Sequence, residues 1–294
     1  MLLLVADVTN NTITPVVEKL EVPRLGKGVD QSGKLNPDSC DRVMSVLISY
    51  KNFLKETYPD VVADVIVTAT SAVRDASNRD QFINDILNQT GWRVRLLSGD
   101  EEALTTYHGS VCVLGNRPGR SVVLDIGGGS TEIAFGEARQ LNSYISIDMG
   151  SVRFSERYLR SNPPKAEEIS RARNRIKELL EVSSIQRESD VEVIGVAGTV
   201  TSIAAIELGL DSYEPARLNG YHLKLSTIGD TIYEFSNLSS DEIESKYKPF
   251  LTGRGDVILG GLLILDEFLN WIGTESITVS TGGIRHGILI GDKT

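Results

Sequence analysis

The chain of 294 residues is 40% hydrophobic and 24% charged, a composition with enough apolar material for two globular domains. Its 30 Lys and Arg against 40 Asp and Glu give a net charge of −10. This charge argues against a protein that coats nucleic acid, because binding to a duplex needs a basic face. Two cysteines without metal-ligand spacing predict neither a disulfide framework nor a zinc site. The first residues resemble neither a signal peptide nor a membrane span, so we expect a cytoplasmic protein.

The first part of the chain predicts a hairpin followed by alternating helices and strands. Two β-branched runs, at 1–8 and 12–20, are joined by Thr9-Asn10-Asn11, which is a hairpin signal. Asn36 is predicted to cap a helix whose first residue is Pro37. The remaining elements expected here are a helix over 37–57, a strand over 64–69, a helix that Asn78 opens and Gly91 closes, a strand over 93–97 and a helix over 99–113.

The second part continues the alternation, which predicts α/β layers. The turn Asn116-Arg117-Pro118-Gly119 is the best boundary candidate, so we expect domains at 1–115 and 116–294. The strands expected are 121–125, 132–135, 143–148, 191–196 and 276–279. The helices expected are 150–160, 165–182, one from Thr199, 226–236, 239–247, 256–272 and a short one at the end.

The most informative stretch is a strand that ends in a carboxylate and runs into three glycines. Residues 122–132 read VVLDIGGGSTE, so Asp125 ends an apolar strand shortly before Gly127–Gly129. Glycines let successive N–H groups turn outward as a nest for phosphate oxygens, and Ser130 adds a hydroxyl. Asp125 beside such a loop suits Mg²⁺, which binds few protein carboxylates and keeps several waters. The alternative is a tight β-hairpin, but three glycines exceed what a hairpin needs.

Two later stretches repeat the order of strand, glycine and helix. Residues 194–202 place Gly198 and Thr199 at such a junction, and we predict that both bind phosphate. The alternative for Thr199 is an ordinary N-cap. Residues 279–285 read VSTGGIR and form the third junction. Three junctions suggest a crevice lined by backbone donors, and the lack of a GxxxxGK[ST] motif makes it unlike a P-loop.

Charged residues beside two other predicted elements are further candidates. Arg74 offers a planar guanidinium suited to phosphate, although the alternative is a surface salt bridge with Asp75. Glu101 and Glu102 lie in the first turn of the helix over 99–113. Acidic residues there often only cap the helix and complement its dipole. The functional alternative is that one of the two orients or deprotonates an attacking water.

Taken in order, these motifs resemble the exopolyphosphatase / guanosine pentaphosphate phosphohydrolase (Ppx/GppA) phosphatase family of the actin-like ATPase superfamily. The similarity covers nearly the whole chain, and DIGGGSTE together with ATSAVRDA is highly specific. It implies an α/β fold with two RNase H-like (actin-like ATPase) domains around a central cleft. The matching blocks are ATSAVRDASN (69–78), SGDEEA (98–103), LDIGGGSTE (124–132), GVAGTVTSIAA (195–205), NGYHL (219–223), GRGDVILGG (253–261) and VSTGGIRHG (279–287).

The resemblance also implies roles for individual residues. Glu102 matches the catalytic glutamate, chosen over Glu101 for its sequence distance from Arg74, and Arg74 matches a phosphate-binding arginine of the catalytic machinery. Arg254 and Asp256 lie on a family block near the cleft. The residues implied to bind metal, Mg²⁺ or Mn²⁺, are Asp125 and Glu132, and those implied to form the phosphate loop are Gly127, Gly128, Gly129 and Ser130.

The function expected is Mg²⁺-dependent hydrolysis of the terminal phosphate of inorganic polyphosphate, guanosine pentaphosphate or both. The expected partners are these substrates, with no nucleic acid and no membrane, and a homodimer is compatible with the resemblance. The sequence departs from the family pattern in two places. The family's first phosphate loop would lie immediately before residues 3–8, so the first strand and this loop are expected to be missing from the domain at 1–115, and His286 stands where the family usually has Glu. The spacing of His108, His222 and His286 favours structural roles. The alternatives are a catalytically impaired polyphosphate or alarmone sensor and an actin-fold kinase.

Overall fold

The structure, a computed structural model, describes residues 1–9, 12–60, 64–115, 119–185, 187–188 and 190–291. Its packing separates two compact units, Met1–Asp7 with Thr14–Gly99 and Val8–Ile13 with Asp100–Thr294. This division falls earlier in the chain than the predicted boundary between residues 115 and 116. That boundary stays a prediction, because its turn includes 116–118, and these residues lie outside the described ones, as do Asn10 and Asn11 of the expected hairpin turn.

The first unit contains most of the two paired strands predicted as a hairpin, two long helices and a pair of short strands, whereas the strand ends at Val8–Ile13 group with the second unit. Asn36 caps the first long helix as predicted, since its side chain accepts from the Asp38 N–H at 2.9 Å. Gly91 ends the second in the left-handed conformation, at φ 77°, that glycine tolerates. The elements are β1 (Leu2–Thr9), β2 (Thr12–Leu20), α1 (Val29–Ser32), α2 (Pro37–Thr57), β3 (Val67–Ala69), α3 (Ser71–Arg74), α4 (Arg79–Thr90) and β4 (Val94–Leu96).

Pairing in the first unit gives two small sheets among the described residues. β1 pairs with β2, and β3 pairs in parallel with β4. The apolar faces of α2 and α4 meet in the core of the unit, as the helical spacing predicts. Its buried members are Val29, Leu35, Val43, Met44, Leu47, Val73, Ala76, Phe82 and Ile86.

The second unit follows the predicted alternation with a few shifted ends. β7 begins three residues early, and the short α9 and β9 were not predicted. The elements are α5 (Gly99–Val113), β5 (Arg120–Ile126), β6 (Thr131–Glu137), β7 (Gln140–Ile147), α6 (Ser151–Tyr158), α7 (Ala166–Val182), β8 (Glu192–Val196), α8 (Ala197–Glu207), α9 (Pro215–Leu218), β9 (His222–Lys224), α10 (Leu225–Phe235), α11 (Ser240–Lys246), α12 (Ile258–Ile272), β10 (Ser276–Val279) and α13 (Ile284–Gly291).

The strands of this unit form one six-stranded sheet in the order β7-β6-β5-β8-β10-β9. β5, β6 and β7 are antiparallel neighbours, whereas β5, β8 and β10 run parallel. The parallel strands end at one sheet edge, because Asp125 is level with Val196 and Val279 is level with Gly195. The α/β fold class is confirmed, and this edge carries the glycine loop after β5, which leads into another strand, and the two strand–glycine–helix junctions after β8 and β10.

Alternate residues of β5 point to different cores on the two sheet faces. Val122 and Leu124 belong to the large core that also contains the nearly wholly buried α12. Val123 faces the other side, in a smaller core with Tyr107 and Val111 of α5. None of the helices within the described ranges has both the length and the apolar content that crossing a bilayer requires.

Candidate functional site

Two carboxylates lie opposite each other on adjacent strands of the second unit. Asp125 and Glu132 are register partners in the antiparallel β5–β6 pair, and both side chains are buried. Partners of this kind have Cβ atoms about 4.5–5.5 Å apart. Because side chains alternate along a strand, the pair shares the sheet face of Val123 and Ala134, which pack with α5. The strand pairing therefore places both predicted metal ligands beside α5.

Glu102 joins this pair from the first turn of α5. It shares a helix face with Thr106, four residues later, whose hydroxyl donates to Asp125 Oδ2 at 3.3 Å. Glu102 is buried, whereas Glu101 is only partly so. The Glu102 charge raises the pKa of both Asp125 and Glu132. The three carboxyl groups form one electrostatic unit, the carboxylate cluster of Glu102, Asp125 and Glu132.

Burial and mutual repulsion dominate the electrostatics of the carboxylate cluster. Burial raises the pKa of Asp125 to about 7, with the Glu102 charge adding to the rise and the Thr106 hydrogen bond opposing it. Burial also raises the pKa of Glu132 well above its ordinary value, and the charges of Glu102 and Asp125 raise it further. Hydrogen bonds from Ser130 and from Ser146, the latter 2.7 Å from Glu132 Oε1, act in the opposite direction. The cluster therefore favours uptake of protons or of a cation.

The donor set of the carboxylate cluster fits a hard divalent cation. Glu132 Oε2 is buried and has no hydrogen-bond partner within the described residues, so one ligand oxygen is unused. No group of three or more His, Cys, Asp or Glu side chains among those residues is close enough to enclose a metal on its own. Mg²⁺ commonly takes one or two carboxylates and completes its shell with water and phosphate. Asp125 and Glu132 thus match the predicted metal ligands in chemistry, and their role stays a prediction.

The glycine loop, Gly127–Ser130, connects β5 to β6 beside the carboxylate cluster. Its carbonyl groups bond to the start of α6: the Ser151 N–H donates to Gly127 O at 2.9 Å, and the Val152 N–H to Gly128 O at 3.0 Å. Gly150 lies so close to the loop that a Cβ there would overlap the Gly128 carbonyl. No acceptor for the N–H groups of Gly128, Gly129 and Ser130 is found in the described part of the chain. The loop is the hairpin connection between the antiparallel strands β5 and β6, so the hairpin considered as an alternative is present, and the predicted binding of phosphate by these amides stays a prediction.

The second junction differs from the prediction in where its helix begins. α8 starts at Ala197, which has a positive φ of 62°, rather than at Thr199. Gly198 and Thr199 therefore lie in the first helical turn. The Thr199 hydroxyl is fully buried against Gly261 of α12 and has no hydrogen-bond partner within the described residues. Its geometry favours packing, and its predicted role in phosphate binding stays untested.

Arg254 lies over the same junction. A Cβ on Gly198 would overlap its guanidinium, so glycine at this position makes room for the arginine. Arg254 Nη1 donates to Ser202 Oγ at 3.2 Å, and no carboxylate of the described residues pairs with it. Burial lowers the pKa of Arg254. A desolvated guanidinium without a carboxylate is a candidate contact for a bound anion.

The third junction serves packing rather than the expected row of backbone donors. The Thr281 N–H donates to Asn219 Oδ1 at 2.7 Å, and the Gly282 N–H to Ser280 Oγ at 3.1 Å. A Cβ on Gly282 would overlap the Gly109 carbonyl of α5. These glycines let α5 approach closely, which in turn positions Glu102. The Thr281 and Gly282 amides are thus already paired, and the expected crevice of three donor loops stays a prediction.

Arg74 belongs to the first unit, at the end of the short helix α3. Its Nη1 donates to the Leu97 carbonyl at 2.9 Å, and its Nε lies 4.0 Å from Asp75 Oδ1. The salt bridge considered as an alternative is thus present at the limit of ion-pair distance. These contacts hold the guanidinium beside Leu97, the residue that follows β4, and the predicted role of Arg74 in phosphate binding stays a prediction.

Several residues that support the site were not identified from the sequence. Thr106 and Ser146 donate to the carboxylate cluster, and Gly150 makes room for the glycine loop. The spacing of Glu102 and Thr106 on one helix face was the only signal that could have indicated Thr106. Ser146 and Gly150 contact residues 14 or more positions away, so only the tertiary fold reveals them.

Comparison with known proteins shows relatives that match this chain in sequence and in fold. "Exopolyphosphatase 2" of Mycobacterium tuberculosis is 32% identical over 303 residues, which cover 98% of this chain and 93% of that protein. The crystal structure of the Aquifex aeolicus member of the Ppx/GppA family is 27% identical, with a TM-score of 0.81 over 99% of this chain and 93% of that one. A solved exopolyphosphatase-like protein, 28% identical, gives a TM-score of 0.91 over 99% of this chain and 93% of its own.

The family model described as the Ppx/GppA phosphatase family matches residues 4–294, which include every candidate site residue named above. Sequence and fold both match relatives over almost the entire chain. On this evidence the chain belongs to the Ppx/GppA phosphatase family.

Proposed function

We propose that this chain hydrolyses a terminal phosphoanhydride bond, with inorganic polyphosphate or guanosine pentaphosphate as substrate and Mg²⁺ as cofactor. The observation that carries the proposal is the juxtaposition of the buried carboxylate cluster with a glycine loop whose Gly128, Gly129 and Ser130 amides have no acceptor within the described ranges. The name of the mycobacterial relative, an exopolyphosphatase, supports polyphosphate. Phosphoryl transfer requires mainly positioning and charge stabilisation, and this site offers donors for both.

In the proposed reaction Glu102 acts as the general base. Its carboxylate accepts a proton from a water molecule whose oxygen attacks the terminal phosphorus, and the bridging P–O bond breaks. The bridging oxygen leaves with the shortened chain, and orthophosphate is released. Burial of Glu102 near two other carboxyl groups supports this role, because neighbouring negative charge favours proton uptake.

The glycine loop is proposed to hold the terminal phosphate through the N–H groups of Gly128, Gly129 and Ser130. Asp125 and Glu132 would hold Mg²⁺, which when bound neutralises charge on the phosphate oxygens. Arg254 is proposed as a further anion contact, and Arg74 stays the predicted phosphate contact of the first unit. Oriented donors of this kind act on charge as it develops on the phosphoryl oxygens.

The proposal is tested by orthophosphate release from polyphosphate and from guanosine pentaphosphate, each with and without Mg²⁺. We expect release from at least one substrate, only with the metal present. Glu102→Gln removes the proposed base, and we expect kcat about 100- to 10,000-fold lower.

Glu101→Gln is the matched control, since it makes the same change one residue earlier on α5, outside the carboxylate cluster. We expect its kcat to stay within about twofold of the parent rate. A parent rate in Glu102→Gln would disprove the role of Glu102. Binding of both substrates without release would favour the sensor alternative instead.

A further inference from the structure

Successive carbonyl groups of the glycine loop all bond to the first turn of α6. In addition to the contacts of Ser151 and Val152, the Arg153 N–H donates to Gly128 O at 3.0 Å. The Arg153 side chain then donates from Nε to Gly129 O at 2.7 Å. The carbonyls of Gly127, Gly128 and Gly129 are therefore all held by α6.

The geometry of the peptide bond shows in which direction the N–H groups of the loop point. In a trans peptide the C=O of one residue and the N–H of the next point in opposite directions. Because α6 holds the three carbonyls, the N–H groups of Gly128, Gly129 and Ser130 point away from α6. These are the same three amides that lack an acceptor among the described residues. The start of α6 thus sets the orientation of the whole nest.

Arg153 controls the last of these peptides through its side chain. Its guanidinium is largely buried, with 13% of the side chain exposed, and its Nη2 lies 3.7 Å from the exposed Asp148. The Nε contact orients the peptide that joins Gly129 to Ser130, because within the described residues the backbone of α6 bonds to the carbonyls of Gly127 and Gly128 and not to that of Gly129. A buried charged donor on a backbone carbonyl is among the stronger hydrogen bonds in proteins.

We propose that Arg153 is a positioning residue for phosphate binding, which acts by fixing the Gly129–Ser130 peptide so that its N–H faces the phosphoryl group. This inference rests on the proposed function and adds to it a residue that does not itself contact the substrate. Nothing in the sequence motifs assigns this role, because the contact joins residues 24 positions apart.

The first test compares Arg153→Met with Arg157→Met. Both replace an arginine of α6, but Arg157 lies one turn later and is exposed. We expect Arg153→Met to raise KM for polyphosphate about tenfold and to lower kcat less. Arg157→Met should leave both constants within about twofold. An Arg153→Met enzyme with the kinetics of Arg157→Met would overturn the proposal.

The second test does not depend on turnover. In ¹⁵N-labelled protein titrated with inorganic pyrophosphate and Mg²⁺, we expect the amide resonances of Gly128, Gly129 and Ser130 to shift. In Arg153→Met the shift at Ser130 should be lost, while the Gly128 amide, still held by the backbone of α6, should respond. Pyrophosphate shifts in the parent together with an absence of hydrolysis would count against the proposed function alone. Absence of the shifts in the parent, or their persistence at Ser130 in Arg153→Met, would overturn this inference.

Arg153→Lys keeps the test informative even where Arg153→Met fails to fold. Lysine retains the charge and one donor but not the position of Nε. We expect it to recover part of the lost affinity, and KM should fall between the parent and Arg153→Met values. If Arg153→Met does not fold and Arg153→Lys shows the kinetics and the Ser130 shift of the parent, Arg153 has only a role in folding. That result would contradict the proposal.

Discussion

Asp125 is a buried carboxyl group whose near neighbours, Glu102 and Glu132, are also acidic. Its pKa rises from an ordinary 3.8 to about 7 in the folded protein. Between these values the unfolded chain is ionised while the folded chain keeps its proton, so the folded state binds more protons. Ionisation therefore favours unfolding. The free energy of unfolding of the metal-free protein should fall as pH rises from about 4 to 7, and Glu132 acts in the same direction.

Asp125→Asn tests whether ionisation of this buried carboxyl group destabilises the folded protein. At pH 8 in the presence of EDTA, we expect the variant to unfold at a higher denaturant concentration than the parent. Its free energy of unfolding should be about 1–3 kcal/mol larger, because the substitution removes an uncompensated buried charge. The decline in stability between pH 4 and 7 should also become shallower. Denaturant titrations monitored by circular dichroism across this pH range provide the measurement.

The matched control for Asp125→Asn is Asp80→Asn, which makes the same change at a side chain that is 89% exposed. Its pH dependence should follow that of the parent. With Mg²⁺ in place of EDTA the parent should gain stability at pH 8, since a cation offsets the charges that burial penalises. A parent whose stability rises between pH 4 and 7 in EDTA would contradict the electrostatic account of the cluster.

At the scale of elements, the glycine loop and α6 fit together only because residue 150 has no side chain. Gly150 has extended backbone angles, φ −139° and ψ 162°, which alanine adopts without strain. A methyl group there would overlap the carbonyl of Gly128 and the backbone of Gly129. We expect Gly150→Ala to displace the loop, destabilise the protein by about 1–3 kcal/mol and lower kcat/KM for polyphosphate at least tenfold.

The control for Gly150→Ala is Gly229→Ala on the exposed side of α10, where a Cβ meets nothing within 4 Å. Alanine favours a helix over glycine, so thermal denaturation should show a gain of about 0.5–1 kcal/mol and unchanged kinetics. Equal effects of the two substitutions on kcat/KM would show that the packing between the loop and α6 does not affect activity.

Elements with strong local signals were predicted well. Asn36 followed by Pro37 fixes the start of α2, and the apolar run ending in Asp125 fixes β5. β9 was missed because it is three residues long and owes its pairing to β10, which is distant in the chain. The start of α8 was misplaced by two residues, since Ala197 takes a left-handed φ that alanine does not signal.

The residues of the candidate site also divide into those that the sequence identifies and those that only the tertiary fold identifies. The glycines and Asp125 are recognisable from residue type alone, because only glycine permits the turn and a carboxylate suits a metal. The residues themselves left Glu101 and Glu102 undecided, since both occupy the first turn of a helix. Tyr107 and Val111 of α5 share a buried cluster with Val123 of β5, and with α5 packed in this way Glu102 is buried and its charge acts on Asp125.

At the scale of the whole molecule, a net charge of −10 opposes the approach of a polyanionic substrate. Binding must therefore come from donors concentrated at one place, and we propose that the glycine loop, whose Gly128, Gly129 and Ser130 amides have no acceptor in the part of the chain that the structure describes, supplies them. The same donors would serve a kinase of related fold, so the acceptor of the phosphoryl group distinguishes the two chemistries.

The most direct measurement follows oxygen from the solvent. Polyphosphate is incubated with the enzyme and Mg²⁺ in ¹⁸O-enriched water, and the released orthophosphate is analysed by mass spectrometry. Attack of water deprotonated by Glu102 predicts one solvent oxygen in each orthophosphate formed, at a rate that Glu102→Gln abolishes. Orthophosphate without the label, or labelled at the parent rate by Glu102→Gln, would contradict the account.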